Sequence, residues 1–112
     1  MAANRTRSLS PPARLALGIL GKLIRTGRIE RKMTTAELAE RAGISRDMLY
    51  RVEKGDPRCE IGVVFELATI VGVTLFEPEV SALRRLEHRV ADRLTLLPKS
   101  VRNPEEEVYD DF

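Results

Sequence analysis

The chain has 112 residues, which is enough for one small domain with a modest core. Apolar residues make up 43% and charged residues 32%, and with one Cys and one His the composition excludes an internal disulfide framework and a His/Cys zinc site. The net charge of +2 conceals an asymmetry between the two halves of the chain. Residues 1–58 hold 13 Lys/Arg and 6 Asp/Glu, whereas residues 59–112 hold 6 Lys/Arg and 11 Asp/Glu. A basic N-terminal half is typical of a protein that binds a polyanion.

Residues 1–12 are predicted to form a flexible basic arm, because Arg5 and Arg7 precede a Pro11-Pro12 stop and little in the segment could be buried. A first helix is expected from Ala13 onwards. It is too short and too often interrupted by Gly and Lys to span a membrane, and no cleavage site of a secretory leader follows it. Its apolar positions recur at steps of three and four and predict one buried stripe: Ala16, Ile19, Leu20, Leu23, Ile24 and Gly27.

A pair of short helices is predicted in the middle of the chain. Thr34 and Glu37 have the spacing of a capping box, in which each side chain caps the other's backbone amide. The helix that follows, Thr35–Ala42, should end at Gly43, and Ser45 can cap the next helix. Two short helices joined by residues 43–45 are the signature of a helix-turn-helix unit.

Residues 45–54 are the predicted recognition helix, whose outer side chains would contact base edges in the major groove. Arginine can bind guanine through two hydrogen bonds and aspartate can accept from cytosine, whereas hydroxyls at helix starts suit phosphates. Each arginine could instead contact a phosphate or stay solvated. The predicted DNA-binding residues are Thr35, Ser45, Arg46, Asp47, Tyr50 and Arg51, with Arg5 and Arg7 of the arm following the backbone or entering the minor groove.

Two further helices are predicted. The fourth, Ile61–Val71, should bury Val64, Phe65, Ala68 and Val71. The fifth should run to Pro98 with a long apolar stripe that packs either on the chain's own core or on the same helix of a second copy. Its stripe is Val80, Leu83, Leu86, Val90, Leu94 and Leu97. The expected organisation is an arm (1–12), a DNA-binding domain (13–76), a helix for dimerisation (77–98) and an acidic, disordered tail (99–112).

The acidic tail carries Tyr109 and Phe112 among carboxylates. Three interpretations are open: the tail keeps the protein soluble, shields the basic DNA-binding face, or docks on a basic partner as it becomes ordered. No catalytic residue, metal site or cofactor is predicted, because the chain has no second histidine, no nucleophile pair and no phosphate-binding glycine loop. The expectation is therefore a cytoplasmic protein that is not an enzyme.

Residues 33–55, MTTAELAERAGISRDMLYRVEKG, resemble the phage-repressor-like (XRE) helix-turn-helix family, and the likeness extends over about residues 20–76. The resemblance implies an all-α fold of five helices, a lambda-repressor-like domain, that binds double-stranded operator DNA as a homodimer. It also implies that Arg28 pairs with Glu53 as a structural brace.

Residues 62–68, GVVFELA, and 72–76, GVTLF, are similar to HipB-like antitoxins found beside HipA-like kinase toxins. That resemblance implies an autoregulatory antitoxin with a toxin partner. The chain departs from the pattern at Cys59-Glu60, where a Ser or Thr cap is usual, and in its long last helix. The alternatives are a stand-alone repressor without a toxin and a protein-interaction module that has lost DNA binding.

Overall fold

A computed structural model describes residues 8–101, and within them the fold is all-α, as predicted. Arg5, Arg7, Tyr109 and Phe112 lie outside the described residues. The chain divides into two compact units between Leu75 and Phe76, and each is described by itself. The helices are α1 (Pro11–Glu30), α2 (Thr35–Ala42), α3 (Arg46–Glu53), α4 (Ile61–Val71) and α5 (Val80–Thr95).

Helix α1 begins at Pro11, two residues before the predicted start at Ala13. Ser10 is the N-cap, and its hydroxyl accepts a hydrogen bond from the Ala13 amide at 3.4 Å. Proline suits the first position of a helix because the amide of that residue has no partner within the helix. The Pro-Pro pair therefore starts the helix instead of ending the arm.

The buried face of α1 matches the predicted stripe only in part. Ile24 and Gly27 are buried as predicted and Gly21 is buried in addition, whereas Ile19 and Leu23 are 57% and 47% exposed. A Cβ added at Gly21 would lie 2.6 Å from the carbonyl oxygen of Val52 in α3, and one at Gly27 would lie 2.8 Å from that of Val71 in α4. Close contact between helix backbones thus decides which face of α1 is buried.

The turn between α2 and α3 follows the predicted local signals. The Thr34 amide donates to Glu37 Oε1 at 2.8 Å, and the Glu37 amide donates to Thr34 Oγ1 at 3.0 Å, which completes the capping box. Gly43 ends α2 with φ 71°, a left-handed conformation that favours glycine. The Ile44 amide then donates to the Ala39 carbonyl at 2.9 Å, which closes the turn.

The core of the first unit lies between the first four helices, where α1 and α2 both pack against α3 and α4. On α4 the buried side chains include Leu67, and Phe65, which was expected in the core, is 38% exposed. Leu49 and Val52 fix the inner face of α3 in this core, so its other faces remain outside. The buried apolar residues are Ile24, Leu38, Ala39, Leu49, Val52, Leu67, Ala68 and Val71.

The second unit contains α5, which buries none of its residues. Phe76 and side chains of α5 surround an apolar concavity of about 460 Å³. The stripe predicted from the sequence is therefore largely exposed: Val80, Leu83, Val90, Leu94 and Leu97 are each exposed, and Leu86 is half-buried.

Candidate nucleic-acid interface

Helix α3 separates its residues into an inner and an outer face. Arg46, Asp47 and Tyr50 are exposed, and Arg51 is half-buried at the edge of the outer face. Arg46 forms no hydrogen bond or ion pair with the described part of the chain. Because the inner face is fixed in the core, the outer side chains project from a rigid support, which is what base recognition requires.

Helix starts provide two further polar positions beside α3. Ser45 is the N-cap of α3, and its Oγ accepts a hydrogen bond from the Met48 amide at 3.0 Å. Thr35 is the first residue of α2, directly after the Thr34 cap, and is exposed. The first amides of a helix have no carbonyl partner within it and carry partial positive charge, so both starts suit a phosphate oxygen.

Asp47 and Arg51 form an ion pair one turn apart on α3. Arg51 Nε lies 3.4 Å from Asp47 Oδ2, but the geometry is not that of a hydrogen bond, and this nitrogen has no other partner among the described residues. The Asp47 side chain is 79% exposed. Exposed pairs of this kind contribute at most about 1 kcal/mol, so both groups can turn to other partners at little cost.

A small cleft of about 190 Å³ lies where α1, α2 and α3 meet. It brings Thr35 together with Tyr50, and it adds two basic residues, Arg25 and Lys54, that the sequence analysis missed. The Lys54 ammonium stands 4.9 Å from the centre of the Tyr50 ring, a cation–π distance. The helical spacing contains the signal for both, because Arg25 precedes Arg28 by three residues and Lys54 follows Tyr50 by four.

The same cleft contains the two residues predicted to brace the domain. Arg28 Nε donates to Glu53 Oε2 at 2.8 Å, and its Nη2 donates to Oε1 at 3.2 Å. The pair is largely buried and joins α1 to the C-terminal end of α3. The pair therefore fixes the orientation of α3 relative to α1, and it leaves the outer face of α3 exposed.

These arrangements agree with the comparison with protein families. A family model described as a helix-turn-helix domain matches residues 19–83, more than half of the chain. The chain belongs to the helix-turn-helix domain family. The match supports the resemblance of this helix-turn-helix protein to XRE-like domains, and domains of this family bind DNA. No curated protein and no solved structure matches the chain.

The loop after α3 of this helix-turn-helix protein is organised by Asp56. Its carboxylate accepts hydrogen bonds from the Arg58 amide at 2.8 Å and from the Arg58 guanidinium at 3.1 and 3.0 Å. These bonds lower the pKa of Asp56 from 3.8 to about 2. Glu60 is the N-cap of α4, and its side chain makes no capping hydrogen bond, so the usual hydroxyl cap is absent at this helix start.

A membrane-spanning helix and a metal-binding cluster are both absent from residues 8–101. None of the helices there is long and apolar enough to cross a membrane. No group of three or more His, Cys, Asp or Glu side chains in that range could hold a metal ion.

Proposed function

We propose that this helix-turn-helix protein is a sequence-specific transcriptional repressor that binds double-stranded operator DNA as a homodimer and regulates its own gene. The observation that carries the proposal is the outer face of α3. Its polar side chains Arg46, Asp47, Tyr50 and Arg51 stand on a helix whose inner face is buried in the core.

In the proposed complex the outer residues of α3 read bases in the major groove. Arg46 and Arg51 bind guanine, and Asp47 accepts from cytosine when it releases Arg51. Ser45 and Thr35 contact phosphates at the two helix starts. Other cations strengthen the attraction to the backbone: Arg25 and Lys54 beside the cleft, and Arg5 and Arg7 of the arm.

The homodimer is supported by α5. This helix of 16 residues is about 24 Å long at 1.5 Å per residue, and none of its side chains is buried. Its exposed leucines and valines form an apolar stripe along that length. Soluble proteins rarely leave large continuous apolar patches uncovered, so the same helix of a second copy is the proposed partner.

A narrower proposal is that the repressor is the antitoxin of a HipA-like kinase toxin. Its support is the likeness of residues 62–68 and 72–76 to HipB-like antitoxins, and Tyr109 and Phe112 are the proposed contacts to the toxin. A kinase gene next to the gene of this protein would support the proposal, and an isolated gene would contradict it. The competing class, an interaction module without DNA binding, is disfavoured because Asp47 alone among the proposed reading residues is acidic.

A gel-shift titration with the DNA upstream of the protein's own gene tests the repressor. A shift at low salt, with much weaker binding to random DNA of the same length, is the expected result. The logarithm of the binding constant should fall steeply with the logarithm of salt concentration, because each neutralised phosphate releases counterions. Equal affinity for the two DNAs would exclude autoregulation, and no shift at micromolar protein would exclude the DNA-binding function.

A further inference from the structure

An apolar groove lies on the exposed side of α1, next to the end of the recognition helix. It has a volume of about 630 Å³, and we call it the α1 groove. Leu15 and Ile19, two of its lining residues, are 68% and 57% exposed. The full lining is Pro11, Arg14, Leu15, Gly18, Ile19, Lys22, Lys54 and Gly55. The proposed reading of bases by α3 does not use this surface.

The lining of the α1 groove is basic as well as apolar. Arg14, Lys22 and Lys54 line it, and no acidic residue does. Arg14 donates one hydrogen bond to the Leu9 carbonyl at 2.7 Å, which leaves its charge without a carboxylate partner among the described residues. The occupant that fits is therefore a segment with apolar side chains and a negative charge.

Two other occupants within this protein fit poorly. If two copies paired symmetrically through this groove, the same cations would meet across the interface. The apolar stripe of α5 is the proposed contact to α5 of a second copy, so it is not available to the groove. Symmetric pairing through the groove would bring like charges together while water is excluded.

Residues 105–112, EEEVYDDF, have the complementary composition. They contain five carboxylates and no Lys or Arg, with Val108, Tyr109 and Phe112 as apolar side chains. We propose that, in the chain without a bound toxin, the α1 groove binds residues 105–112 of the same chain, with the apolar side chains on Leu15 and Ile19 and the carboxylates against the cations. A toxin that contacts Tyr109 and Phe112 would have to displace them from the groove. A segment tethered to its site has an effective concentration that a free peptide rarely reaches, which favours the chain's own segment.

The position of the groove gives this contact a consequence for DNA. Lys54 lines both the α1 groove and the cleft beside Tyr50. Carboxylates bound at Lys54 would compete with phosphates at the edge of the proposed DNA-binding face. The acidic segment thus competes with DNA phosphates for Lys54. Non-specific DNA binds too weakly to displace the segment.

The full chain allows a direct test because it contains no Trp. Tyr109→Trp places a single fluorophore in the acidic segment. In the docked state its emission maximum lies at shorter wavelength than that of a free indole, and acrylamide quenches it weakly. Leu15→Glu in the same background should shift the emission to that of a solvated indole. Ile29→Glu is the matched control, because Ile29 lies on the same helix, is 54% exposed and lies outside the groove.

Lys22→Glu provides a second variant that changes only charge at an exposed position, and it should also release the indole. Release by 1 M salt and a signal unchanged by dilution are expected for a charged contact within one chain. A solvated indole in the Tyr109→Trp chain, or release by Ile29→Glu but not by Leu15→Glu, would overturn the proposal. The measurement needs no DNA, so its failure leaves the repressor proposal standing, and a failed gel shift leaves the groove proposal standing.

Discussion

Arg28 and Glu53 form an ion pair that is nearly closed to solvent, with 11% and 9% of their side chains exposed. Two hydrogen bonds join the guanidinium to the carboxylate, and a third runs from Arg28 Nη1 to the Met33 carbonyl at 3.0 Å. One arginine thus connects α1, the turn before α2 and the C-terminal end of α3.

Replacing Glu53 with Gln should destabilise the protein strongly, because it leaves the Arg28 charge buried without its counter-ion. Loss of one partner of a buried pair costs roughly 3–5 kcal/mol of unfolding free energy. Urea unfolding followed by circular dichroism measures the difference. Asp47→Asn is the control, since it breaks an exposed pair on α3 and should change stability by about 1 kcal/mol or less. Equal effects of the two substitutions would contradict a structural role for Arg28 and Glu53.

Two glycines on α1 should respond oppositely to alanine. A Cβ at Gly21 would meet the Val52 and Glu53 carbonyl oxygens at 2.6 and 2.7 Å, so Gly21→Ala forces α1 and α3 apart. Overpacking of this kind costs about 1–3 kcal/mol. A Cβ at Gly18 would meet nothing within 4 Å, so Gly18→Ala should stabilise the helix by roughly 1 kcal/mol. Thermal unfolding of the two variants checks the pair, and a stabilised Gly21→Ala would refute the close approach.

Removing Arg46 should weaken operator binding and relax base preference at one position of the site. Direct contact with guanine is worth about 1–3 kcal/mol of discrimination, which a gel-shift competition with single-base operator variants measures. Arg89→Ala on α5 removes the same charge from an exposed position in the other unit, and it should leave base preference unchanged. If Arg46→Ala weakens binding to operator and random DNA by the same factor, Arg46 contacts phosphate and not base.

The Asp56–Arg58 contact predicts how stability depends on pH. The pKa of Asp56 is lowered to about 2 in the folded protein from an ordinary 3.8, so its ionised form binds Arg58 and stabilises the fold above pH 4. That contribution should decline as the pH falls from about 3.8 towards 2. In Asp56→Asn it should be absent, so the stability difference from the parent chain narrows over this range in urea unfolding. A difference that stays constant from pH 7 to pH 2 would contradict the assignment.

Local signals in the sequence predicted the helix-turn-helix unit closely. Thr34 and Glu37 cap α2, Gly43 ends it and Ser45 caps α3, as their spacing indicates. Each of these interactions joins residues a few positions apart, so it depends on the local sequence and not on the tertiary fold. The inner face of α3 is equally local, because the helical period of about 3.6 residues places Leu49 and Val52 on one side and the polar residues on the other.

The sequence by itself therefore determined the helices, their caps and the outer residues of α3. Tertiary structure alone decided which face of α1 is buried, because α1 carries apolar residues on several sides and contact through Gly21 and Gly27 selects among them. The exposed Leu15 and Ile19, and with them the α1 groove, follow from that selection. Helical spacing places Arg25 beside Arg28 and Lys54 beside Tyr50, but only the crossing of α1 and α3 brings both basic residues to one cleft.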